Sequence, residues 1–263
     1  MPLTVTTCRT AAEADDALSQ NPGAKVIGGG TVLMRAVNDA DPALTGLIRV
    51  TDPAFRDIRR EGSTLVLGAH VTMAQLLANR EAAFLHPVAR VIGGPQVRAA
   101  ATVAGNLFSG PPYGDFAAAL IALGATALHP DRSSEPVEGI VRRPRTKIVT
   151  GVSIPIPIAL LFSKVSRVKP KGVSLMSLAA VVPLSGGRIE GARVAFNGMG
   201  AHPARATGAE RALNGQPLTP DTIARASAAA AEGLDPRDDA IASAWYRRET
   251  AGIHLRRLLE GAR

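Results

Sequence analysis

Three glycines in a row, Gly28-Gly29-Gly30, directly behind the apolar Val26-Ile27 and ahead of Thr31, constrain this chain more than any other stretch. A short strand ending on such a run can turn sharply, because glycine reaches positive φ freely and puts no Cβ between its backbone and a neighbour. Successive open N–H groups in a turn of that kind form a concave nest for an anion such as a pyrophosphate. A second glycine-bearing segment follows at Thr102-Val103-Ala104-Gly105-Asn106, with Pro112 and Asp115 downstream. Thr102 and Asn106 add short polar side chains there. The Asp115 carboxylate suits either a ribose hydroxyl or the positive end of a following helix. Each segment alone reads as an ordinary turn; the two together point to a ligand. Neither has the spacing GxGxxG or GxxxxGK[ST], which sets aside the dinucleotide-binding Rossmann turn and the P-loop.

The rest of the chain brings little chemistry of its own. No Ser–His–Asp set, paired catalytic carboxylates or metal-ligand cluster is readable, as expected where a cofactor carries the reaction and the protein orients it. With a single cysteine, Cys8, the chain has no internal disulfide and no full set of thiolates for an iron–sulfur cluster. His70 has no partner ligand nearby and reads as a core or surface residue. The net charge is +8, supplied mostly by arginine, with only five lysines. Aromatic residues make up 3% of the chain, too few for base-stacking platforms. The tightest basic cluster, Arg142-Arg143-Pro144-Arg145-Thr146-Lys147, therefore reads as a solvated loop or a partner-docking surface rather than a nucleic-acid site. No apolar run approaches the roughly 18 residues of a membrane span, and no signal peptide is visible, so a cytoplasmic location is expected.

The 263 residues suffice for one large domain or two. Helix is expected over Ala11–Ser19 and strand over Lys25–Ile27, Leu47–Thr51 and Thr64–Leu67; Met73–Asn79 reads as a helix capped by Thr72. Phe116–Leu123, apolar throughout, reads as a buried helix. Pro155 and Pro157 mark a boundary. Beyond it, strands are expected over Leu160–Arg167, Val173–Val182 and Arg188–Asn197, then helices over Ala204–Leu213, Asp221–Glu232 and Ile241–Leu259. Strands followed by a helical tail make a second, α+β unit.

These residues resemble the flavin-binding subunit, or middle domain, of the molybdenum hydroxylases. Ile27–Met34 resembles that family's first motif, close to AGGT or AGGH, and Pro95–Asn106 its second, close to PQIRNxATIGGN. Pro112-Tyr113-Gly114-Asp115 matches its P-x-x-D. Phe162–Arg167 is similar to its F-x-K-x-x-R strand, Phe196–Gly200 with Pro203–Ala206 to its FGG and P-x-R-A segment, and Ser243–Arg248 to its S-x-x-YR-x helix. The resemblance implies an α+β fold. A two-part FAD-binding domain (1–157, subdomains about 1–55 and 56–157) of the kind found in vanillyl-alcohol-oxidase-like flavoproteins precedes a smaller α+β domain (158–263). It also implies FAD contacts at Val26, Ile27, Gly28, Gly29, Gly30, Thr31, Val32 and Leu33, at Thr102, Val103, Ala104, Gly105 and Asn106, at Asp115, and at Lys164 beside the flavin. By the same resemblance, iron–sulfur clusters sit on a small partner subunit and a molybdopterin cofactor on a large one, in a dimer of heterotrimers. Three positions depart from the pattern: Ala104 replaces a second glycine, Val32 a polar residue and Lys171 a common aspartate. If position 104 needs positive φ, its alanine costs about 1 kcal/mol or more. Alternative readings are a stand-alone FAD-dependent oxidoreductase, and a basic structural or nucleic-acid-binding protein that has lost its flavin.

Overall fold

The structure is a computed structural model that describes residues 3–143, 146–157, 159–168 and 172–261. Arg145 and Lys171, singled out above, lie outside these residues. The chain is α+β and builds three main sheets.

The first sheet is small and parallel, with β1 (Thr4–Cys8), β2 (Ala24–Ile27) and β3 (Gly46–Val50) in the order β1-β3-β2. Two helices connect its strands, α1 (Ala11–Gln20) and α2 (Leu33–Asn38). Thr10 caps α1 by accepting from the Glu13 N–H, while the Glu13 carboxylate takes the N–H of Arg9, the residue before the cap. Ala14, Leu18, Ile48, Val50 and Phe55 close this small core.

The second sheet contains β4 (Ile58–Glu61), β5 (Thr64–Gly68), β6 (Thr126–Leu128), β7 (Ser134–Pro136) and β8 (Gly151–Pro155), in the antiparallel order β4-β5-β8-β6-β7. Helices α3 (Met73–Ala78), α4 (His86–Arg90), α5 (Pro95–Ala100), α6 (Val103–Leu107), α7 (Asp115–Ala122) and α8 (Val137–Ile140) complete it. Thr72 forms the expected cap of α3, extended to a capping box with Gln75. All eight residues of α7 are buried: the apolar run Phe116–Ala122, as the sequence requires, and Asp115 ahead of it.

The third sheet is antiparallel, ordered β14-β13-β10-β9 from β9 (Leu161–Val165), β10 (Met176–Val181), β13 (Arg193–Asn197) and β14 (Ala204–Arg205), beside a hairpin of β11 (Leu184–Ser185) and β12 (Arg188–Ile189). The helices α9 (Thr207–Leu213), α10 (Pro220–Ala228) and α11 (Ala244–Glu260) cover one of its faces. The period-two alternation assigns the faces. Met176, Leu178, Ala180, Val194 and Phe196 pack under those helices, whereas Ala179 and Ala195 join the core around α7. The third sheet is thus buried on both sides.

Two expectations are corrected here. The strand expected over Arg188–Asn197 is two strands, because Gly191 at φ +72 turns the chain between β12, which pairs with β11, and β13, which pairs with β10. The helix expected from Ala204 begins at Thr207, since Ala204 and Arg205 pair with β13. Arg247, from the closing-helix motif, is buried. It donates to Asp239 from Nη2 at 3.0 and 2.8 Å and to the carbonyls of Leu175, Arg237 and Ala242, pinning the start of α11 to its neighbours.

Candidate functional site

Local packing explains the first glycine run. A Cβ on Gly29 would run into the Ala100 carbonyl oxygen, and one on Gly28 into the Thr102 hydroxyl. These two glycines are therefore demanded by the close approach of the second segment rather than by φ. Only Gly30, at φ +70, uses the left-handed region. The two segments, more than seventy residues apart in sequence, are in van der Waals contact. Among the described residues, the N–H groups of Gly29, Gly30 and Thr31 meet no acceptor, which leaves them open for a ligand.

The second segment is strapped to the end of β5. Val103 donates to the Val71 carbonyl at 2.9 Å, Ala104 to that of Ala69 at 3.0 Å, and Met73 to that of Ala101 at 2.9 Å. It then forms the single turn of α6, capped by the Thr102 hydroxyl, which accepts from the Gly105 N–H at 3.1 Å. The segment read from the sequence as a turn is thus one turn of helix. Ala104 sits inside it, outside the positive-φ region, and carries none of the strain anticipated for an alanine in place of glycine.

The two segments wall a cleft of about 350 Å3 between the first and second sheets, within the range of small-molecule sites. Of the expected residues, Val26, Gly28 to Leu33, Thr102, Ala104 and Gly105 line it. Ile27, Val103, Asn106, Asp115 and Lys164 do not. Val103 is wholly buried in the core. Asn106 is a buried pin, donating to the Tyr113 carbonyl and accepting from the Phe116 N–H, each at 2.9 Å. It thereby holds the start of α7 against α6.

Asp115 and Lys164 are brought to each other. The Lys164 ammonium lies 3.2 Å from Asp115 Oδ2 and donates to the Val91 carbonyl at 3.0 Å; the two side chains are 9% and 3% exposed. Ser174 donates to Asp115 Oδ1 at 2.5 Å and Asn197 at 3.4 Å. At the other end of α7, Arg193 of β13 donates to the Ile121 carbonyl from Nε at 3.1 Å and Nη2 at 2.8 Å, adding to the Gly124 N–H that this last-turn carbonyl accepts at 3.1 Å. Both ends of α7 are therefore gripped from the third sheet.

The cleft also takes in residues that the sequence reading placed elsewhere: Lys25 of β2, Lys147 of the basic loop, and His70, read as a core or surface residue. Bare backbone N–H groups beside ammonium groups and apolar walls form a donor set suited to a nucleotide diphosphate. His70 carried only a faint sequence signal, its place after Gly68-Ala69 at the end of a strand. Its imidazole is tilted against Phe55 with ring centres 5.0 Å apart. Burial, and secondarily Arg56, push its pKa below the usual histidine range. The unfolded chain takes up this proton as pH falls through about 6.5 while the folded imidazole resists. This group's contribution to stability is therefore lost as pH drops below that value, at up to about 1.4 kcal/mol per pH unit until the folded imidazole protonates as well. We expect urea midpoints to fall less between pH 7 and 5 for His70→Phe than for the native chain; parallel pH profiles would contradict this.

In the basic loop, Arg142 pairs with Glu138 at 3.3 Å, Arg143 with Glu135, and Lys147 with Asp131 at 2.6 Å. The Lys147 contact holds the Asp131 carboxyl well below the usual range. Among the described residues no helix is long and apolar enough to cross a membrane, and no cluster of histidine, cysteine or acidic residues could hold a metal ion.

The family model described as the FAD binding domain in molybdopterin dehydrogenase matches residues 2–157, and that of the CO dehydrogenase flavoprotein C-terminal domain matches 162–262. Over 258 residues the chain is 27% identical to the carbon monoxide dehydrogenase medium chain of Hydrogenophaga pseudoflava, covering 91% of this chain and 89% of that one. It is 28% identical over 263 residues to the nicotine 6-hydroxylase medium subunit of Paenarthrobacter nicotinovorans, covering 94% and 92%. Among solved structures, a chain of the H. pseudoflava carbon monoxide dehydrogenase lacking the Mo-pyranopterin moiety superposes with a TM-score of 0.90 at 26% identity, covering 100% of this chain and 97% of that chain.

Proposed function

Because this chain belongs to the FAD-binding medium subunits of the molybdenum hydroxylase family, we propose that it is the electron-transfer subunit of a multi-subunit oxidoreductase, passing electrons from a partner's iron–sulfur cluster through FAD to an external acceptor. The observation that carries this reading is the meeting of two glycine segments, distant in sequence, on one cleft. The open N–H groups of Gly29, Gly30 and Thr31 would hold the diphosphate, with Thr31 to Leu33 and Thr102, Ala104 and Gly105 as the walls beside it. Lys25 and Lys147 would offset the phosphate charge. FAD, when bound, supplies the redox chemistry; the chain binds it, orients it and shields it from water.

Asp115 and Lys164 belong to this site as supports. They fix α7 and, through Asn106, the α6 turn on which the cleft wall rests. One cysteine among these residues cannot ligate a cluster, which supports a donor cluster held outside them, on a partner subunit. Substrate oxidation would take place on a third chain carrying the molybdopterin cofactor. Medium subunits at similar identity are named for carbon monoxide dehydrogenase and for nicotine 6-hydroxylase, which fits a substrate pocket lying outside this type of chain.

Native purification tests the proposal. The chain should co-purify with partners containing iron and molybdenum, and acid precipitation should release its flavin, because no cysteine or histidine lies in the glycine motifs. Purified chain with FAD but no such partners would favour a stand-alone flavoprotein. Chain unable to take up FAD would overturn the proposal.

A further inference from the structure

His70 stands apart from the other histidines packed into this fold. His86 donates from Nε2 to the Leu76 and Asn79 carbonyls, and His129 donates from Nδ1 to the Ile148 carbonyl with its Nε2 3.1 Å from Glu135 Oε1. His70 lines the cleft, yet among the described residues its ring nitrogens have no hydrogen-bond partner. Its position is nonetheless fixed. Its main-chain N–H donates to the Phe55 carbonyl at 2.7 Å, its ring leans on Phe55, and the preceding Ala69 is held by the Thr150 carbonyl and the Ala104 N–H. The His70 ring nitrogens are not sealed off, since the buried side-chain atoms without a partner among the described residues are Ser177 Oγ and Asn197 Oδ1; the imidazole faces the cleft, where a ligand that displaces its water must replace the water's hydrogen bonds.

We propose, resting on the FAD reading above, that His70 is a cofactor-positioning residue whose imidazole hydrogen-bonds the edge of a heteroaromatic ring of the cofactor. The surroundings favour a ring over a phosphate. Phe55, Leu18 and Ile148 make this part of the cleft apolar, and burial keeps the imidazole neutral near pH 7. A neutral imidazole has one donor and one acceptor. That pairing matches a ring edge with neighbouring acceptor and donor atoms, such as those of adenine or isoalloxazine, better than it matches an anion.

The test is fluorescence titration of FAD into the flavin-free full-length chain. His70→Phe keeps the ring contact with Phe55 and removes both nitrogens; it should weaken FAD binding about three- to tenfold, the worth of one hydrogen bond. His70→Gln, with a donor and an acceptor, should recover most of that loss. Competition with ADP and with FMN then locates the contact: weakening confined to ADP places it at adenine, weakening confined to FMN at isoalloxazine. Equal FAD binding by His70→Phe and the native chain overturns the proposal while leaving the FAD assignment intact; failure of the native chain to bind FAD removes the assignment itself. Should the variants not fold, the ring-nitrogen resonances of His70 in the 15N-labelled native chain decide. They should shift on adding FAD, and unmoved resonances at saturating FAD would overturn the proposal.

Discussion

Replacing Lys164 with methionine is expected to destabilise the flavin-free chain by about 3–5 kcal/mol, the cost of leaving a buried charge without its partner. Asp115 would keep its hydrogen bonds from Ser174 and Asn197 but lose the ammonium at 3.2 Å, in a place where water does not replace it. Two neutral side chains of similar bulk restore the balance, so Asp115→Leu combined with Lys164→Met should cost clearly less than either change alone, as replaced buried pairs often do. Urea denaturation of the four proteins in a double-mutant cycle reads this directly. Additive losses, or a loss below about 1 kcal/mol for the lysine change, would mean that the pair is solvated and contributes little.

Gly29→Val should do more than weaken cofactor binding: it should disrupt the fold. The added Cβ meets the Ala100 carbonyl, a backbone atom that cannot swing aside, and the β-branched side chain offers few rotamers for escape. We expect a loss above about 3 kcal/mol, at the upper end for overpacking, or an insoluble chain. Gly30→Ala is the informative comparison. Its φ of +70 sets a strain of roughly 1–2 kcal/mol, and its Cβ would come no nearer than 3.0 Å to the flexible Met34 side chain. Denaturation midpoints should therefore rank native above Gly30→Ala above Gly29→Val with no flavin present. A Gly29→Val chain as stable as Gly30→Ala would show that the second segment can move away.

Much of this architecture could be read before the structure, wherever neighbours in sequence decide it. The Thr72 cap, the apolar run of α7 and the early alternation of helix and strand rest on residues within four or five places of one another. What escaped the sequence depends on residues that meet only in three dimensions. That Gly28 and Gly29 answer to Thr102 and Ala100 is invisible along the chain, because a glycine run looks the same whether it bends or makes room. Asp115 and Lys164 each carried a cofactor-side expectation from a motif; what pairs them is the packing of the third sheet on α7. Gly191 ended a strand that Arg188–Asn197 presented as continuous, since one positive-φ residue outweighs the β-propensity around it. His70 sits in no motif and is defined by the cleft around it.

The third sheet, buried on both faces, acts as a wall shared by two rooms. Ala179 and Ala195 face α7, while Leu178, Val194 and Phe196 face α9 to α11. A cut between the two matched family segments would strip one side of that wall and leave Lys164 and Arg193 without the helix they hold. The core under α9 to α11 lies within the second segment, but the core around α7 is closed only by both segments together. The smallest piece of this chain that can be moved intact into another assembly is accordingly the pair, with α7 still inside it.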